Sequence, residues 1–319
     1  MREFQKQSAY RSLFLSAASA KPNNACRAQL AQDPLNPKLH CQFAEQCSRL
    51  GKNSLAWAEL KTALALGINP KAIEQLANDI SSRLPKKEEM DHNQYFRFYT
   101  LSSAIRSMTH RNPVSLLDIG GGQGQLAQFI PEASYILAEP TENGISGMNL
   151  PFVDGSIDYV VACHVLEHIP SNSRDVFLDH LLSKAKMGLV LLNPFYNEKT
   201  YVDERLRLFI EITGADWAKE HLECSLPKIE MIQKYATIRG LECNIKPNGI
   251  LAASMLMVFV SYFAHKAGLK DDLKKVNRFL NQRYSDILCQ EKFPNAHLVI
   301  LTHRQHQNSE TNTGIYSGG

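Results

Sequence analysis

The run Leu116-Leu117-Asp118-Ile119-Gly120-Gly121-Gly122-Gln123-Gly124 sets a short apolar segment directly before a glycine-rich turn, with one carboxylate at the junction. At the carboxyl end of a parallel strand such a turn lets backbone approach a ligand closely, because glycine has no Cβ and accepts positive φ. Glu139 ends the next apolar run, where a carboxylate can accept two hydrogen bonds from a ribose diol. Three imidazoles, His164, His168 and His221, with Glu220 beside the last, have the chemistry of a general base. His164 leads among them, because it follows a third apolar run, Ile157 to Ala162. His168 lies just before Pro170 and is expected to cap or pack that turn.

The spacing of the glycines discriminates between ligands. A dinucleotide fingerprint beginning at Gly120 requires glycine at position 125, and the chain has Gln125, which argues against NAD. S-adenosylmethionine has no pyrophosphate to be cradled at a helix N-terminus. Its sulfonium and amino group are cationic and favour a nearby carboxylate such as Asp118. The turn supplies both the room and the carboxylate that S-adenosylmethionine needs, which makes it the expected cofactor beside the plainer reading of a strand-to-helix turn with no ligand; the chemistry such a cofactor brings is in-line methyl transfer, in which alignment supplies about 7–11 kcal/mol of the barrier. A hydroxyl acceptor also needs a base; His164 and His221 are the catalytic candidates, with no metal site expected.

These residues need a scaffold. Short apolar runs at Ser115–Ile119, Ser134–Ala138, Ile157–Ala162 and Gly188–Leu192 alternate with helical or loop segments, which predicts an α/β fold with a Rossmann-like, doubly wound, mostly parallel sheet. Leu241–Lys246 and His297–Thr302 read as two further strands, with helices at about Leu251–His265 and Asp272–Leu288 between them. Ahead of the sheet, Lys38–Leu50 and Ser54–Leu66 carry helical apolar spacing and end at Gly51 and Gly67, predicting a helical hairpin in a small all-helical N-terminal domain. A helix over Tyr95–Thr109 leads into the sheet. The charged break Pro85–Glu89 is the boundary, giving a helical unit at 1–84, a catalytic domain at 90–303 with a helical insertion at 249–290, and a polar disordered tail at 304–319.

Asn149-Leu150-Pro151-Phe152, the run Asp154 to Val161, and His164-Val165-Leu166-Glu167-His168-Ile169-Pro170 resemble the post-adenine loop, fourth strand and following turn of class I S-adenosylmethionine-dependent methyltransferases of the methyltransferase-11 type. By that resemblance Asp118, Gly120 and Gly122 line the methionine end of the cofactor, Glu139 holds the ribose, Asn149 meets the adenine and His164 sits beside the sulfonium. Only Pro140 to Met148 stands where family members insert a helix and a strand, so that side of the sheet is expected to be thinned. The N-terminal hairpin resembles a tetratricopeptide unit, although His40 and Cys47 replace the usual Trp and Tyr, and Ala72–Leu84 can begin a second unit. The segment Trp217–Pro227 resembles an element of bacterial methyltransferases of glycan assembly, covering the mouth of the site; the plainer reading has Trp217 and Leu222 packing on the sheet, with Glu220 and His221 solvated.

The implied acceptor is a small molecule or glycan, and the N-terminal helices offer a surface for a protein partner; burial is the default explanation of the apolar segment Ile250–Ala264, with a lid over a lipid-linked acceptor or a dimer contact as the sharper alternatives. The alternative is a helical-repeat interaction protein whose S-adenosylmethionine-binding domain has no turnover. A formal net charge of +3 is too small for a nucleic-acid footprint. Ile250–Ala264 falls short of the roughly 18–20 residues of a membrane span, and seven cysteines without zinc-like spacing fit reduced thiols in a cytoplasmic protein. Glu3 and a short apolar patch at Leu13–Ala20 weaken any reading of the N-terminus as an export signal.

Overall fold

A computed structural model describes residues 24–109, 114–197, 202–283 and 293–304. The tail from 305 onward, the Leu13–Ala20 patch, Cys289 and the end of the expected helix beyond Arg283 lie outside these residues.

Six strands form one sheet in the order β2-β1-β3-β4-β6-β5. They are β1 (Ser115–Ile119), β2 (Ser134–Ala138), β3 (Ile157–Cys163), β4 (Ala185–Asn193), β5 (Leu241–Asn248) and β6 (Ala296–His303). The first four are parallel, and β6 runs antiparallel to both β4 and β5. All four parallel strands match the expected apolar runs, with β3 reaching on to Cys163 and β4 extending from Ala185 to Asn193. Burial on both faces explains why these runs read as continuously apolar rather than alternating.

The alternation appears instead in which face each residue serves. Leu116, Tyr135, Leu137, Val161, Val190 and Leu192 join one core, while Leu117, Ile136, Val160, Leu189 and Leu191 join the other. The second core is covered by α7 (Arg174–Lys184) and α10 (Ile229–Ile238), through Phe177, Leu181 and Tyr235 among others. The first is covered by α5 (His92–Met108) and by the N-terminal helices α1 (Asn24–Gln32), α2 (Pro37–Arg49) and α3 (Asn53–Ala65). A 3-10 turn at Pro70–Ile73 and α4 (Glu74–Ser82) follow, in place of a second full-length hairpin. Phe43, Leu55, Leu60 and Ile80 are fully buried in the same core as the sheet residues, so the hairpin and the sheet share one interior.

The thinned side of the sheet is where the hairpin docks. Strand β2 is an edge strand, and its outward backbone groups at Leu137 would otherwise be unpaired. Thr62 Oγ1 of α3 accepts from the Leu137 amide at 3.0 Å, and Asn143 Nδ2 donates to the Leu137 carbonyl at 2.9 Å. Side chains thus satisfy what a further strand would have paired.

A third, smaller core joins α8 (Val202–Thr213), α9 (Asp216–Cys224) and α11 (Leu251–Lys266) through Leu206, Phe209, Ala218, Trp217 and Phe259. Trp217 and Leu222 therefore pack against neighbouring helices rather than the sheet. The helix expected from Asp272 begins two residues earlier, as α12 (Lys270–Arg283). Among the described residues no helix is long and apolar enough to cross a membrane.

Candidate functional site

The glycine turn lies between β1 and the one-turn helix α6 (Leu126–Phe129), at the carboxyl end of the parallel strands. Gly120, Gly122 and Gly124 have φ of 64°, 60° and 66°, a region costly for residues with a Cβ. A Cβ at Gly121 would fall 2.3 Å from Asp118 Oδ2, so the turn folds tightly over the carboxylate. Asp118 is 1% exposed and its Oδ2 accepts from Tyr135 Oη at 2.6 Å. Burial, with the Asp118 charge second, raises the Tyr135 pKa well above the usual phenol range and keeps that proton in place.

Glu139 is also buried. Its Oε2 accepts from the Gly122 amide at 2.8 Å, and its Oε1 accepts from Thr141 N at 3.1 Å and Thr141 Oγ1 at 2.6 Å. The carboxylate therefore ties the first turn to the second. A cradle of left-handed glycines with an acid at each strand end fits the nucleoside and amino-acid halves of S-adenosylmethionine, which Asp118, Gly120, Gly122 and Glu139 would hold. Asn149 is exposed, with its amide bonded to Ser146 O at 3.0 Å.

At the end of β3, His164 adopts φ +56°, uncommon for a residue other than glycine, and its amide donates to Leu192 O of β4 at 2.8 Å. Its Nδ1 lies 3.0 Å from Oε1 of Glu167, which is fully buried. Glu167 Oε2 accepts from Asn193 Nδ2, at the end of β4. Burial opposes the charge on Glu167, but His164 and, further off, His168 and His221 outweigh it and hold the carboxyl far below the usual carboxylate range.

Helix α9 completes the cluster by packing on the 3-10 turn Leu166–His168. His168 Nδ1 meets Glu220 Oε2 at 2.9 Å, and His221 Nε2 lies 3.3 Å from His168 Nε2 and 4.0 Å from Glu167 Oε1. The expectation that Glu220 and His221 are solvated is corrected: Glu220 is 6% exposed and the His221 side chain 12%, because both face the turn. Burial pushes the His221 pKa down to about 3; Glu167 opposes the shift, and His168, His164 and Arg97 add to it. His168 does pack the turn, through Glu220 and His221.

Arg174 holds the two segments together. Its Nε donates to the carbonyls of Leu166 (3.2 Å) and Ile169 (3.0 Å), and Nη2 donates to those of Cys224 (3.0 Å) and Ser225 (2.5 Å). Arg174, Asn193 and Glu167 were not singled out from the sequence. For Glu167 the signal was present: it stands three residues after His164 in the motif run.

A methyltransferase-domain family model matches residues 74–244, more than half of the chain. An uncharacterized methyltransferase of Mycobacterium tuberculosis is 31% identical over 112 residues, covering 26% of this chain and 43% of the relative. The chain thus spans less than half the length of the curated relatives it matches. Among solved structures, YcgJ of Bacillus subtilis is 16% identical with a TM-score of 0.40, covering 65% of this chain and 99% of that one. An S-adenosylmethionine-dependent methyltransferase of Thermotoga maritima is 12% identical with a TM-score of 0.41, covering 74% and 100%. Magnesium protoporphyrin IX methyltransferase of Synechocystis, with bound S-adenosylhomocysteine, is 11% identical with a TM-score of 0.40, covering 65% and 82%.

The chain belongs to the methyltransferase-domain family. Its cofactor, as a member of that family, is S-adenosylmethionine.

Proposed function

We propose that the protein transfers a methyl group from S-adenosylmethionine to a hydroxyl of a small-molecule or glycan acceptor, with His164 as the general base. The observation that carries this reading is the His164–Glu167 pair: a strained histidine at a strand end, 3.0 Å from a fully buried carboxylate. An acceptor that needed no deprotonation would have little use for it. Bound S-adenosylmethionine supplies an activated sulfonium leaving group. Asp118, Gly120 and Gly122 fix its methionine end, Glu139 its ribose, and Asn149 stands at the adenine side. Glu167 orients the imidazole of His164 and stabilises it once it has taken the acceptor's proton. Burial lowers the His221 pKa to about 3, which leaves it neutral at physiological pH and a poor proton acceptor.

The N-terminal helices complete the donor site in place of the missing strand, as the contact of α3 with the glycine turn supports. Their tetratricopeptide-like hairpin retains an outer surface for a protein partner. The exposed Leu256, Val260 and Phe263 along α11 support a lipid-linked acceptor, and the six free cysteines among the described residues fit a cytoplasmic location.

The test is calorimetric titration of the purified protein with S-adenosylmethionine and with NAD, followed by detection of S-adenosylhomocysteine in the presence of sugar and lipid-linked alcohols. Binding of S-adenosylmethionine alone, with product formed from an alcohol, is the expected result. Binding without turnover across the panel favours the non-catalytic interaction protein, and no binding to folded protein overturns the reading.

A further inference from the structure

The geometry points to a divalent transition-metal site formed by Glu167, His168 and His221. One ligand atom from each residue lies within 4.8 Å of the others. The two facing imidazole nitrogens, His168 Nε2 and His221 Nε2, are 3.3 Å apart. Zinc–nitrogen bonds of about 2.0–2.1 Å at a tetrahedral angle place two ligand nitrogens about 3.3–3.4 Å apart, so this spacing already suits a shared cation. Glu167 Oε1, which also meets His164 Nδ1 at 3.0 Å, lies 4.0 Å from His221 Nε2, and with all three ligand atoms within 4.8 Å of one another the carboxylate has to move inward by up to about 1.4 Å to reach the same separation.

The surroundings prepare the ligands. An ionised carboxylate only accepts, so the bond between His168 Nδ1 and Glu220 Oε2 puts the ring proton on Nδ1 and leaves the Nε2 lone pair facing His221. This carboxylate–histidine arrangement is the one that orients metal-ligating imidazoles. Arg174 ties the turn that carries Glu167 and His168 to the end of the helix that carries His221. Two further oxygens in the cluster, Glu220 Oε1 and Asn193 Oδ1, are buried with no hydrogen-bond partner among the described residues; Asn193 is fully buried and Glu220 is 6% exposed. Such orphaned acceptors suit a water carried on a cation.

Two imidazoles and one carboxylate suit zinc, with cobalt and manganese bound more weakly in that order. Three protein ligands leave a fourth position open, as in catalytic rather than structural sites. On the proposed function, an acceptor hydroxyl bound there would be acidified beside His164. That consequence rests on the methyl-transfer reading; the metal site does not.

The experiment uses tag-free, full-length protein stripped with a chelator. Zn2+ is titrated by calorimetry, Co2+ by its visible absorption, and S-adenosylmethionine in a parallel calorimetric run. The expected result is one equivalent of Zn2+ that displaces Co2+ and its absorption bands. His221→Ala should abolish this binding, and Glu220→Gln should weaken it about 10–100-fold, as expected when a group that orients a ligand is altered. Should His221→Ala fail to fold, wild type and Glu220→Gln still decide. No Zn2+ binding by folded wild type, or unchanged binding in both variants, overturns the site. Failure of S-adenosylmethionine binding with Zn2+ binding intact overturns only the methyl-transfer reading.

Discussion

Gly124 of the glycine turn packs against Ala58 of α3 so closely that a Cβ on the glycine would fall 2.2 Å from the Ala58 Cβ. The last motif glycine thus answers to the N-terminal helix as well as to its own φ of +66°. This joins the helical hairpin mechanically to the glycine turn proposed to hold the cofactor. Gln123 and Lys52 continue the junction, since both bond the carboxylate of Glu142.

Gly124→Ala is expected to be costly for two separable reasons. The left-handed backbone accounts for about 1–2 kcal/mol and overpacking against Ala58 for about 1–3 kcal/mol. Urea unfolding should show a loss of about 2–4 kcal/mol, with weakened binding of S-adenosylmethionine. Adding Ala58→Gly should restore part of that loss by relieving the clash and none of the backbone part. If Gly124→Ala matches wild type in both measurements, α3 does not brace the turn.

The hairpin also carries a pH dependence. His40 Nδ1 lies 2.6 Å from Glu59 Oε2, both side chains are fully buried, and Glu59 Oε1 accepts from Asn143 Nδ2 at 2.9 Å in the turn after β2. Burial lowers the His40 pKa, but the charge and hydrogen bond of Glu59 outweigh it, and the net direction is upward from 6.5. A raised histidine pKa means that the folded state binds the proton more tightly than the unfolded one. The stabilisation is therefore complete below about pH 6.5 and lost as pH rises through the folded value. Unfolding free energy measured from pH 6 to 9 should fall with pH in wild type, and His40→Gln should flatten that slope. An unchanged slope in the variant would assign the dependence to another group.

His40 shows what was legible and what was not. In sequence it reads as a departure from the tetratricopeptide pattern; in space it is half of a buried pair whose partner lies 19 residues on. The four parallel strands were readable because double burial demands uninterrupted apolar runs. The missing strand was equally readable, as a short Pro140–Met148 connection, but no local pattern says that Thr62 and Asn143 will bond the exposed edge. The same limit applies to the imidazole cluster. Glu167 and His168 sit in a recognisable turn, yet His221 comes 53 residues after His168, and only the packing of α9 brings them together. Non-local contacts of this kind leave no periodicity to read.

Arg174 is expected to be irreplaceable by lysine. Its guanidinium reaches four carbonyls on two segments, and lysine offers a point charge where the fork geometry is needed. Charge-assisted bonds of this kind are worth about 1.5–3 kcal/mol. Arg174→Met should lower stability by about 2–4 kcal/mol, and Arg174→Lys should recover less than half of the loss. With an acceptor in hand, kcat should drop in both while affinity for S-adenosylmethionine holds. An equal fall in cofactor affinity would place the role of Arg174 in overall folding rather than in aligning His168 and His221.

Glu139 separates cofactor binding from loop support. Its carboxylate already accepts from Gly122 N, Thr141 N and Thr141 Oγ1, so Glu139→Ala would remove these protein bonds together with any bond to ribose. Glu139→Gln is the milder probe, because the amide keeps the shape and one acceptor oxygen, although its NH2 then faces either Gly122 N or Thr141 N and at least one of those bonds is lost with it. Loss of one charge-assisted bond to the ribose is worth about 1.5–3 kcal/mol, or about 10–100-fold in Kd. Thr141→Ala serves as the control, since it removes a bond to Glu139 from the protein side alone. Calorimetry should show S-adenosylmethionine binding weakened about 10–100-fold in Glu139→Gln and less than about threefold in Thr141→Ala. If the two variants weaken binding equally, Glu139 acts by holding the two turns together, and the ribose is bound by another group.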